Sequence, residues 1–498
     1  MRWRYLAAAA GAAWLVSFPA RGDDDPAPIL TSADVDLVVH SAAASVNSEA
    51  LVIAVTDRQG DVLAVYRKPA APATAKANFG VQADANEVAV ALARTASFFS
   101  NNQAPLSSRT VRFISGIHFP PGIAFTGNAA LYGIENTNRG CPFNANYLPG
   151  QAVPPARSID GSQTGLGILT GKADLNDSDP TAVNPGGVPL FKQGVVVGGV
   201  GVAGVAADVA EFAAFSGAVG AGFGAAPAPP GVVIIDGIAL PFVNQTSMPG
   251  GFGPGTADGS YVLGPLDSPG PAPEGDLVAP QDGLIGGLAS SEVRTIVDAA
   301  VAEGNLTRAV IRLPLGSRAR FAIAVADLDG TVLALHRMPD ATVFSIDVAV
   351  AKARNVIFFS GPARLAADLP GVPMNTAVTN RTIGFGAQPL YPPGVDYSTP
   401  GPFFNLYKFD ALNPCTQGSQ TANPNQNGIV FFPGALPLYR NGVLVGGLGV
   451  SGDGVEQDDF VTAAAAAGFE APASIRADQV IDEGVRLPYL KFPRNPLD

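Results

Sequence analysis

The sequence predicts an α+β fold that is built twice along the chain, each time as an antiparallel sheet covered by helices. Two observations lead to this prediction. Blocks of 18 residues recur in the same order in both halves, because 52–69 matches 322–339 and 187–204 matches 435–452, each at 10 of 18 positions. Each half also repeats the order helix, hairpin, helix, hairpin, helix in its apolar spacing.

Local patterns justify the elements of the first half. Thr31 or Ser32 can cap an opening helix, and a short turn over 57–60 between two β-rich runs indicates a hairpin. In chain order, the predicted elements are a helix after Ser32, strands 51–56 and 62–67, a helix over 86–99, strands 188–191 and 195–202, and a helix from near Ala206. The matching later helices of the second half are predicted over 345–359 and from near Val455.

Proline and glycine mark the boundaries between these units. The chain contains 58 Gly and 44 Pro, and long loops rich in these residues are predicted over 120–186 and 394–434. The predicted organisation is a signal peptide over 1–22, a domain over 28–245, a Pro/Gly-rich linker over 246–283 and a second domain over 284–492. A length of 498 residues fits more than one hydrophobic core.

The N-terminus is typical of a secretory signal. Arg2 and Arg4 precede an apolar run over 6–16, and small residues lie just before position 23. The apolar run is too short to span a bilayer comfortably. We therefore expect an exported protein, periplasmic or extracellular, whose mature chain begins near Asp23.

The charge balance narrows the range of partners. The formal net charge is −12 at pH 7, and the cations are not grouped along the chain. Nucleic-acid binding depends on grouped cations that neutralise phosphates, and an acidic chain is repelled by anionic membrane surfaces. We expect a small-molecule or protein partner, no nucleic acid, and no membrane once the signal is removed.

The chain contains two cysteines, Cys141 and Cys415. In an oxidising compartment such a pair favours a disulfide. The alignment of Arg109 with Arg381 places residue 141 opposite 413, so the cysteines occupy nearly equivalent loop positions. If the two halves pack as an intramolecular pseudo-dimer, equivalent residues near its axis approach each other. We predict a disulfide that links the halves, and higher oligomers stay open.

The second half carries three stretches that together resemble the GlcG/HbpS-like family. These are IAVADLDGTVLALHRM over 323–338, SIDVAVAKARNVIFFS over 345–360 and GALPLYRNGVLVGGLGVSGDGVEQDD over 434–459. The family is associated with haem binding and haem degradation and includes the C-terminal domain of PduO-type proteins. The resemblance implies two tandem profilin-like domains, each with five antiparallel strands. The first half departs from the pattern, since Ala203 and Val205 replace Ser451 and Asp453.

Haem binding, implied by this resemblance, needs candidate ligands. His336 lies on the second predicted strand of the second half, where the first half has Tyr66. Imidazole and phenolate both ligate haem iron. His118 lies beside a Pro-rich loop and could reach a pocket, whereas His40 falls in the first helix and is interpreted as structural. The alternative for His336 is an ordinary half-exposed strand residue.

Paired arginines are candidates to hold an anion. Arg109 and Arg381 recur beside a threonine, and Arg94 and Arg354 recur in the predicted helices. Guanidinium groups bind carboxylates in a bidentate way, so these residues could hold haem propionates or a small organic acid. The alternative is an internal salt bridge, for example from Arg354 to Asp347.

Two other motifs favour structural interpretations. The GxGxxG spacing over 199–204 and 447–452 follows the second arm of a hairpin and not the first strand of a parallel unit. We therefore expect these glycines to allow close packing of strand against helix. Carboxylates three residues apart open the last helix of each half and could bind a metal, but the helix dipole alone favours acids there. They are Asp208, Glu211, Glu456 and Asp459.

Together these patterns predict an exported haem-binding or haem-handling protein. Two alternatives stay open: a binding module or enzyme for a small organic acid, and a structural or interaction protein whose pockets are lost. No catalytic set of residues is evident in the sequence, so whether the protein degrades haem is left open by the resemblance.

Overall fold

A computed structural model describes residues 27–141, 167–170, 185–225 and 233–497. The predicted signal peptide and much of the first long loop therefore lie outside the described residues. The α-helices are α1 (Ser32–Ala44), α2 (Ala85–Phe99), α3 (Ser108–Phe113), α4 (Ala207–Gly220), α5 (Ser290–Leu306), α6 (Phe344–Ser360), α7 (Asn380–Gly386), α8 (Phe404–Leu412) and α9 (Val455–Ala465).

The strands form two five-stranded sheets and three short ribbons. They are β1 (Val52–Asp57), β2 (Val62–Arg67), β3 (Thr74–Lys76), β4 (Gln82–Asp84), β5 (Gly187–Lys192), β6 (Val195–Ala203), β7 (Ile234–Ile235), β8 (Ile238–Ala239), β9 (Ser260–Leu263), β10 (Gly275–Val278), β11 (Phe321–Ala326), β12 (Val332–Arg337), β13 (Ala435–Arg440), β14 (Val443–Gly452), β15 (Ile481–Asp482) and β16 (Val485–Arg486). The ribbons are β3–β4, β7–β8 and β15–β16.

The two sheets have the same strand order. The first sheet runs β5-β6-β1-β2-β9 and the second runs β13-β14-β11-β12-β10, and neighbouring strands are antiparallel throughout. The registers also agree, since Tyr66 lies opposite Ile53 and His336 lies opposite Ile323. The α+β prediction is confirmed, and the shared order fits a tandem arrangement.

The segment predicted as a linker contributes a strand to each sheet. β9 pairs with β2 in the first half, and β10 pairs with β12 in the second. Each strand has only four residues and is flanked by Pro and Gly, so its apolar alternation is too short to be detected in the sequence. The segment over 246–283 thus connects the sheets and also completes both of them.

Each sheet is covered by helices on both faces. In the first half α1 and α4 cover one face and α2 covers the other, because alternate residues of β1 enter two separate apolar clusters. In the second half α5 and α9 occupy one face and α6 the other. We call the second of these the α6 face.

Glycines allow the helices to approach the sheets closely. A Cβ atom on Gly201 would lie 2.0 Å from the carbonyl oxygen of Ala89 in α2. The equivalent atom on Gly449 would lie 2.1 Å from the carbonyl oxygen of Ala349 in α6. Real Cβ atoms do not approach an oxygen so closely, so the expected close packing of strand against helix is confirmed in both halves.

Helix α6 is buried around its whole circumference, which is unusual for a helix at the surface of its own sheet. The first half covers its outer side. The rings of Phe99 and Phe344 stack with centroids 4.0 Å apart, and the amide of Val343 donates to the carbonyl of Phe98 at 3.0 Å. The two halves therefore share a continuous apolar interior at this point.

Long loops carry further contacts between the halves. Cys141 and Cys415 form the predicted disulfide, with Cα atoms 5.2 Å apart and a sequence separation of 274. Next to it, the guanidinium of Arg139 and the side-chain amide of Asn136 each donate to Asp410 at 2.9 Å. The disulfide prediction is confirmed.

Candidate functional site

A cleft of about 710 Å³ lies between the halves, beside the start of α9. The first half supplies one wall and the second half supplies the other. The apolar lining comprises Phe99, Leu106, Ile114, Leu131, Ile235, Val310, Ile311, Leu315, Phe344, Phe432, Val455 and Phe492, with several small residues. Binding sites for small molecules commonly have this size and this apolar character.

The floor of the cleft comes from the turn between β14 and α9. Ser451 is buried near the end of β14, opposite Ala322 on the α6 face, and its hydroxyl donates to Ser345 at 3.2 Å. Gly454 then adopts φ 143°, a conformation that favours glycine, and α9 begins at Val455. The SGDG stretch of the sequence thus forms the turn that places α9 at the cleft.

A buried ion pair lies behind this floor. The ammonium of Lys352 donates to Asp458 Oδ2 and to the carbonyl of Val450, each at 2.8 Å. Asp458 lines the cleft, and its Oδ1 has no hydrogen-bond partner among the described residues. Burial raises the pKa of Asp458 to about 7, although Lys352 opposes this, and burial lowers the pKa of Lys352. A carboxyl with a raised pKa therefore lines the cleft.

A second buried pair fixes the turn itself. Arg312 Nε contacts Asp453, and Arg312 Nη1 contacts Asp340 at 2.6 Å. Asp453 also accepts the amide of Arg320 at 2.8 Å. Burial raises the pKa of Asp453, whereas Arg312 lowers it. Arg312 belongs to the stretch between α5 and β11, which is longer than the corresponding stretch between α1 and β1.

The first half lacks these polar groups. The repeat alignment places Leu92 opposite Lys352, Ala210 opposite Asp458 and Ala203 opposite Ser451. Leu92, Ala203 and Ala210 line a smaller cavity of about 340 Å³. Sequence reasoning singled out Ser451 and Asp453 but missed Lys352, Asp458 and Arg312. The repeat alignment could have identified Lys352 and Asp458, because each is a polar residue aligned with an apolar residue of the first half.

Charged side chains surround the mouth of the cleft. Arg308, Lys491 and Arg494 all line it, and Lys491 forms an ion pair with Glu456 at the start of α9. Arg308 donates to the carbonyl of Arg494 at 3.3 Å. The lining also includes Asp236, so the rim carries charges of both signs close to an apolar interior. Its arginines suit a ligand with a flat apolar body and acidic groups.

The predicted haem ligands His336 and Tyr66 lie on another face of the sheets. His336 Nδ1 contacts Asp276 Oδ1 at 2.7 Å, and the same carboxylate binds Arg294 of α5 at 2.5 Å. Tyr66 is buried, and its hydroxyl donates to the carbonyl of Ala257. Because cross-strand partners share a face, His336 lies on the side of its sheet opposite the α6 face, and Tyr66 lies on the α1 and α4 side of the first sheet. The structure does not bring them to the cleft.

His118 also lies away from the lining of the cleft. Its Nε2 contacts Asp396 Oδ1 at 2.7 Å, and this contact joins the loops of the two halves. Asp396 also accepts the amide of Phe125 at 2.8 Å, and His118 lowers the pKa of Asp396. Axial ligation by His118, His336 or Tyr66 stays a prediction.

The paired arginines have equivalent contacts in the two halves. Arg109 binds Glu211 in a bidentate way at 2.6 and 2.9 Å, and Arg381 Nε binds Asp459 at 2.5 Å. These contacts agree with an internal salt bridge, and they occupy one carboxylate of each acidic pair at the start of the last helices. Roles for Arg109 and Arg381 toward a ligand stay predictions.

The helical arginines hold a turn in each half. Arg94 donates to the carbonyl of Gly60 at 2.8 Å, and Arg354 donates to the carbonyl of Gly330 at 2.9 Å. Arg354 also donates to Asn427 at 2.9 Å. Each arginine therefore fastens its helix to the first hairpin of its sheet, and its role toward a ligand stays a prediction.

The described residues also bear on metal binding and membrane insertion. Within them, no three His, Cys, Asp or Glu side chains converge as a metal-ion cluster. No helix in the same residues has the length and apolar character needed to cross a membrane.

Most of the second half matches a known family model. Residues 288–467 match a family model described as "Haem degrading protein HbpS-like". The corrinoid adenosyltransferase PduO of Salmonella typhimurium is 29% identical over 153 residues, which cover 31% of this chain and 33% of PduO. The matched region thus spans about a third of the length of that curated relative.

Three solved structures are similar to part of this chain. A PduOC–haem complex has a TM-score of 0.24 at 22% identity and covers 36% of this chain and 94% of its own. The Klebsiella pneumoniae protein ORFY has a TM-score of 0.24 at 19% identity, with coverage of 36% and 90%. A double mutant of HbpS from Streptomyces reticuli has a TM-score of 0.20 at 20% identity, with coverage of 35% and 80%.

The region matched by the family model contains the turn and the start of α9, which contribute to the second-half wall of the cleft, and the buried Lys352–Asp458 pair behind them. Over residues 288–467, in its second half, this chain therefore resembles the family described as HbpS-like.

Proposed function

We propose that this protein binds haem or a related porphyrin in the cleft between its halves. One observation carries the proposal: the large apolar cleft opens at the part of the chain that matches the haem-associated family. The phenylalanines of both halves would contact the flat ring. The cations at the rim would bind its carboxylates.

The lining suits the macrocycle better than the iron. Aromatic side chains favour contact with a flat conjugated ring, and arginine and lysine favour carboxylates. Haem iron is usually held by His, Cys, Met or Tyr, and none of these types occurs among the described residues that line the cleft. We therefore expect affinity to come mainly from the ring and its acidic groups.

The chain's own residues would orient the ligand and exchange protons with it. Lys491 and Arg494 would hold acidic groups at the rim, while Phe344 and Phe432 would exclude water from the ring. Asp458, whose pKa lies at about 7, would donate or accept a hydrogen bond from inside the cleft. Bound haem would supply redox chemistry at its iron.

A matched pair of variants tests the location. Val455→Trp fills the cleft at the start of α9, and Ala207→Trp makes the same change at the equivalent position of the first half. In hemin titrations followed at the Soret band, we expect Val455→Trp to weaken binding at least tenfold and Ala207→Trp to leave it within about twofold. Unchanged hemin affinity in Val455→Trp would show that the cleft is not the site.

Metal-free porphyrin and two further variants test the type of recognition. Protoporphyrin IX should bind within a few-fold of hemin, since the described lining offers no usual iron ligand. His336→Ala and Tyr66→Phe should leave the Soret position unchanged. A loss of hemin affinity in either variant, with Val455→Trp unaffected, would instead place the ligand at the face predicted from the sequence.

We further propose that the protein is exported and begins near Asp23 after removal of residues 1–22. The Cys141–Cys415 disulfide supports this, because such bonds persist in oxidising compartments. Intact-mass measurement of material recovered outside the cytoplasm tests the proposal. A mass that includes residues 1–22 would contradict it.

A further inference from the structure

A second cavity, of about 440 Å³, lies where the connecting segment passes between the halves. Among the described residues, none lines both this cavity and the cleft. Its lining includes Val195–Val197 and Asn102 from the first half, 270–274 from the connecting segment, and Arg337 and Asp340 from the second half. The charged groups that face it come from both halves, so we call it the interhalf cavity.

Arg58 lines the interhalf cavity and is nearly buried, with 6% of its surface exposed. Its Nη2 donates to the carbonyl of Ser100 at 2.7 Å, whereas Nη1 has no hydrogen-bond partner among the described residues. Within those residues, no carboxylate lies in ion-pair contact with Arg58. Burial and the nearby charge of Arg337 lower the pKa of Arg58 to about 9. A buried guanidinium without a counter-ion is unfavourable.

The other charged groups that line the cavity do not form an ion pair with Arg58. Arg337 donates to the carbonyls of Ala341 and Pro273, each at 2.9 Å, and lies 3.7 Å from Glu274. Glu274 accepts the amide of Asp340 at 2.7 Å. Asp340 in turn binds Arg312 at 2.6 Å. Both carboxylates are thus engaged by groups other than Arg58.

We propose that the interhalf cavity binds a small molecule through a carboxylate or phosphate group held by Arg58, with the positive charge of Arg337 facing the same cavity. Planar guanidinium groups bind both oxyanions through paired hydrogen bonds. The cavity falls within the size range of small-molecule sites. This site is separate from the porphyrin cleft and does not depend on it.

The second half shows whether the hairpin needs an arginine at the position of Arg58 in order to fold. Leu328 occupies the equivalent place in the turn between β11 and β12. An arginine is therefore not required to form this hairpin, and Arg58→Leu is the natural variant. Glu274 is more exposed, with 43% of its side-chain surface accessible, so Glu274→Gln removes a negative charge from the cavity with little effect on packing.

The test uses the full exported chain with its disulfide intact. Succinate and inorganic phosphate are titrated at constant ionic strength against chloride, and binding is followed by calorimetry and by the shift in Tm. We expect wild-type protein to bind at least one oxyanion more tightly than chloride. Arg58→Leu should weaken this binding at least tenfold, Glu274→Gln should strengthen it about threefold, and the control Glu303→Gln, on α5, should leave it unchanged.

The outcomes separate the two sources of oxyanion. Binding of succinate alone assigns a carboxylate ligand, and binding of phosphate alone assigns a phosphate ligand. If Arg58→Leu does not fold, the opposite change in Glu274→Gln still supports the site. Equal affinity of wild type, Arg58→Leu and Glu274→Gln, or no preference for either oxyanion over chloride, would overturn the proposal. Hemin binding in the same samples tests the cleft independently.

Discussion

The two halves have the same sheet, but the side chains buried between sheet and helices differ. Both use one strand order, and both fasten a helix to the first hairpin through an equivalent arginine. On the helix that faces the other half, however, the second half has Lys352, which forms an ion pair with Asp458. At the two matching positions the first half has Leu92 and Ala210. The two arrangements support the same topology.

This difference shows whether the fold depends on the Lys352–Asp458 pair. Burying a lysine and an aspartate costs desolvation free energy that their attraction repays only in part. The first half shows that an apolar pair suffices for the fold. The buried pair, in the half whose Asp458 lines the large cleft, is therefore not required by the topology that the two halves share.

The largest expected effect comes from loosening the halves from each other. Replacing Cys141 and Cys415 by serine should lower the free energy of unfolding by up to ~5 kcal/mol, since the bond closes a very long loop in the unfolded chain. Denaturant unfolding of oxidised wild type and of the double variant measures this change. Identical midpoints would show that the other contacts between the halves already hold them together.

The next effect isolates the buried pair. Lys352→Leu alone leaves Asp458 without its partner and should cost ~3–5 kcal/mol. The double change Lys352→Leu with Asp458→Ala copies the first half and should recover most of that loss. Denaturant unfolding at pH 8, where Asp458 is ionised, gives the comparison. A double variant no more stable than Lys352→Leu would contradict the equivalence of the two interiors.

The pH dependence sharpens the same comparison. Burial raises the pKa of Asp458 from 3.8 to about 7, so the folded protein binds more protons than the unfolded chain between these values. The contribution of this group is present in full below about pH 4 and is lost as the pH rises toward 7. Wild type should therefore lose stability over this range by ~1–4 kcal/mol more than Asp458→Asn. Parallel profiles for the two proteins would argue against a raised pKa.

The smallest expected effect concerns the helix caps that the two halves share. Ser107 and Thr379 cap α3 and α7, and they accept the amides of Thr110 and Thr382 at 3.2 and 3.1 Å. Replacing either cap by alanine should cost ~1 kcal/mol, and the two costs should agree within error. Unequal costs in thermal unfolding would show that the surroundings of the two caps differ.

The sequence predicted the elements whose signal is local or repeated. The hairpins around Gly60 and Gly330 follow from turn chemistry and alternation, and the Cys141–Cys415 bond follows from the alignment of the halves. The contribution of Arg312 could not be predicted in this way. Its partner Asp453 lies 141 residues further on, and only the fold brings the two together.

The haem-ligand predictions show the limit of residue type as a guide. His336 and Tyr66 occupy equivalent positions, as the alignment indicated, yet the cleft lies on the other face of the sheet. Because a strand alternates its side chains, a single register position decides which face a residue reaches. Cleft residues such as Phe99 and Phe432 carry no chemical signature and come together only through the contact between halves.

The strands supplied by the connecting segment have a further consequence for the integrity of the protein. An uncovered outer strand presents unpaired amides and carbonyls, and another chain can add to it. β9 shields the outer side of β2, and β10 shields the outer side of β12. A protease cut between Leu263 and Gly275 would free both protective strands at once. The expected result is edge-to-edge aggregation of the nicked protein, rather than release of two soluble domains.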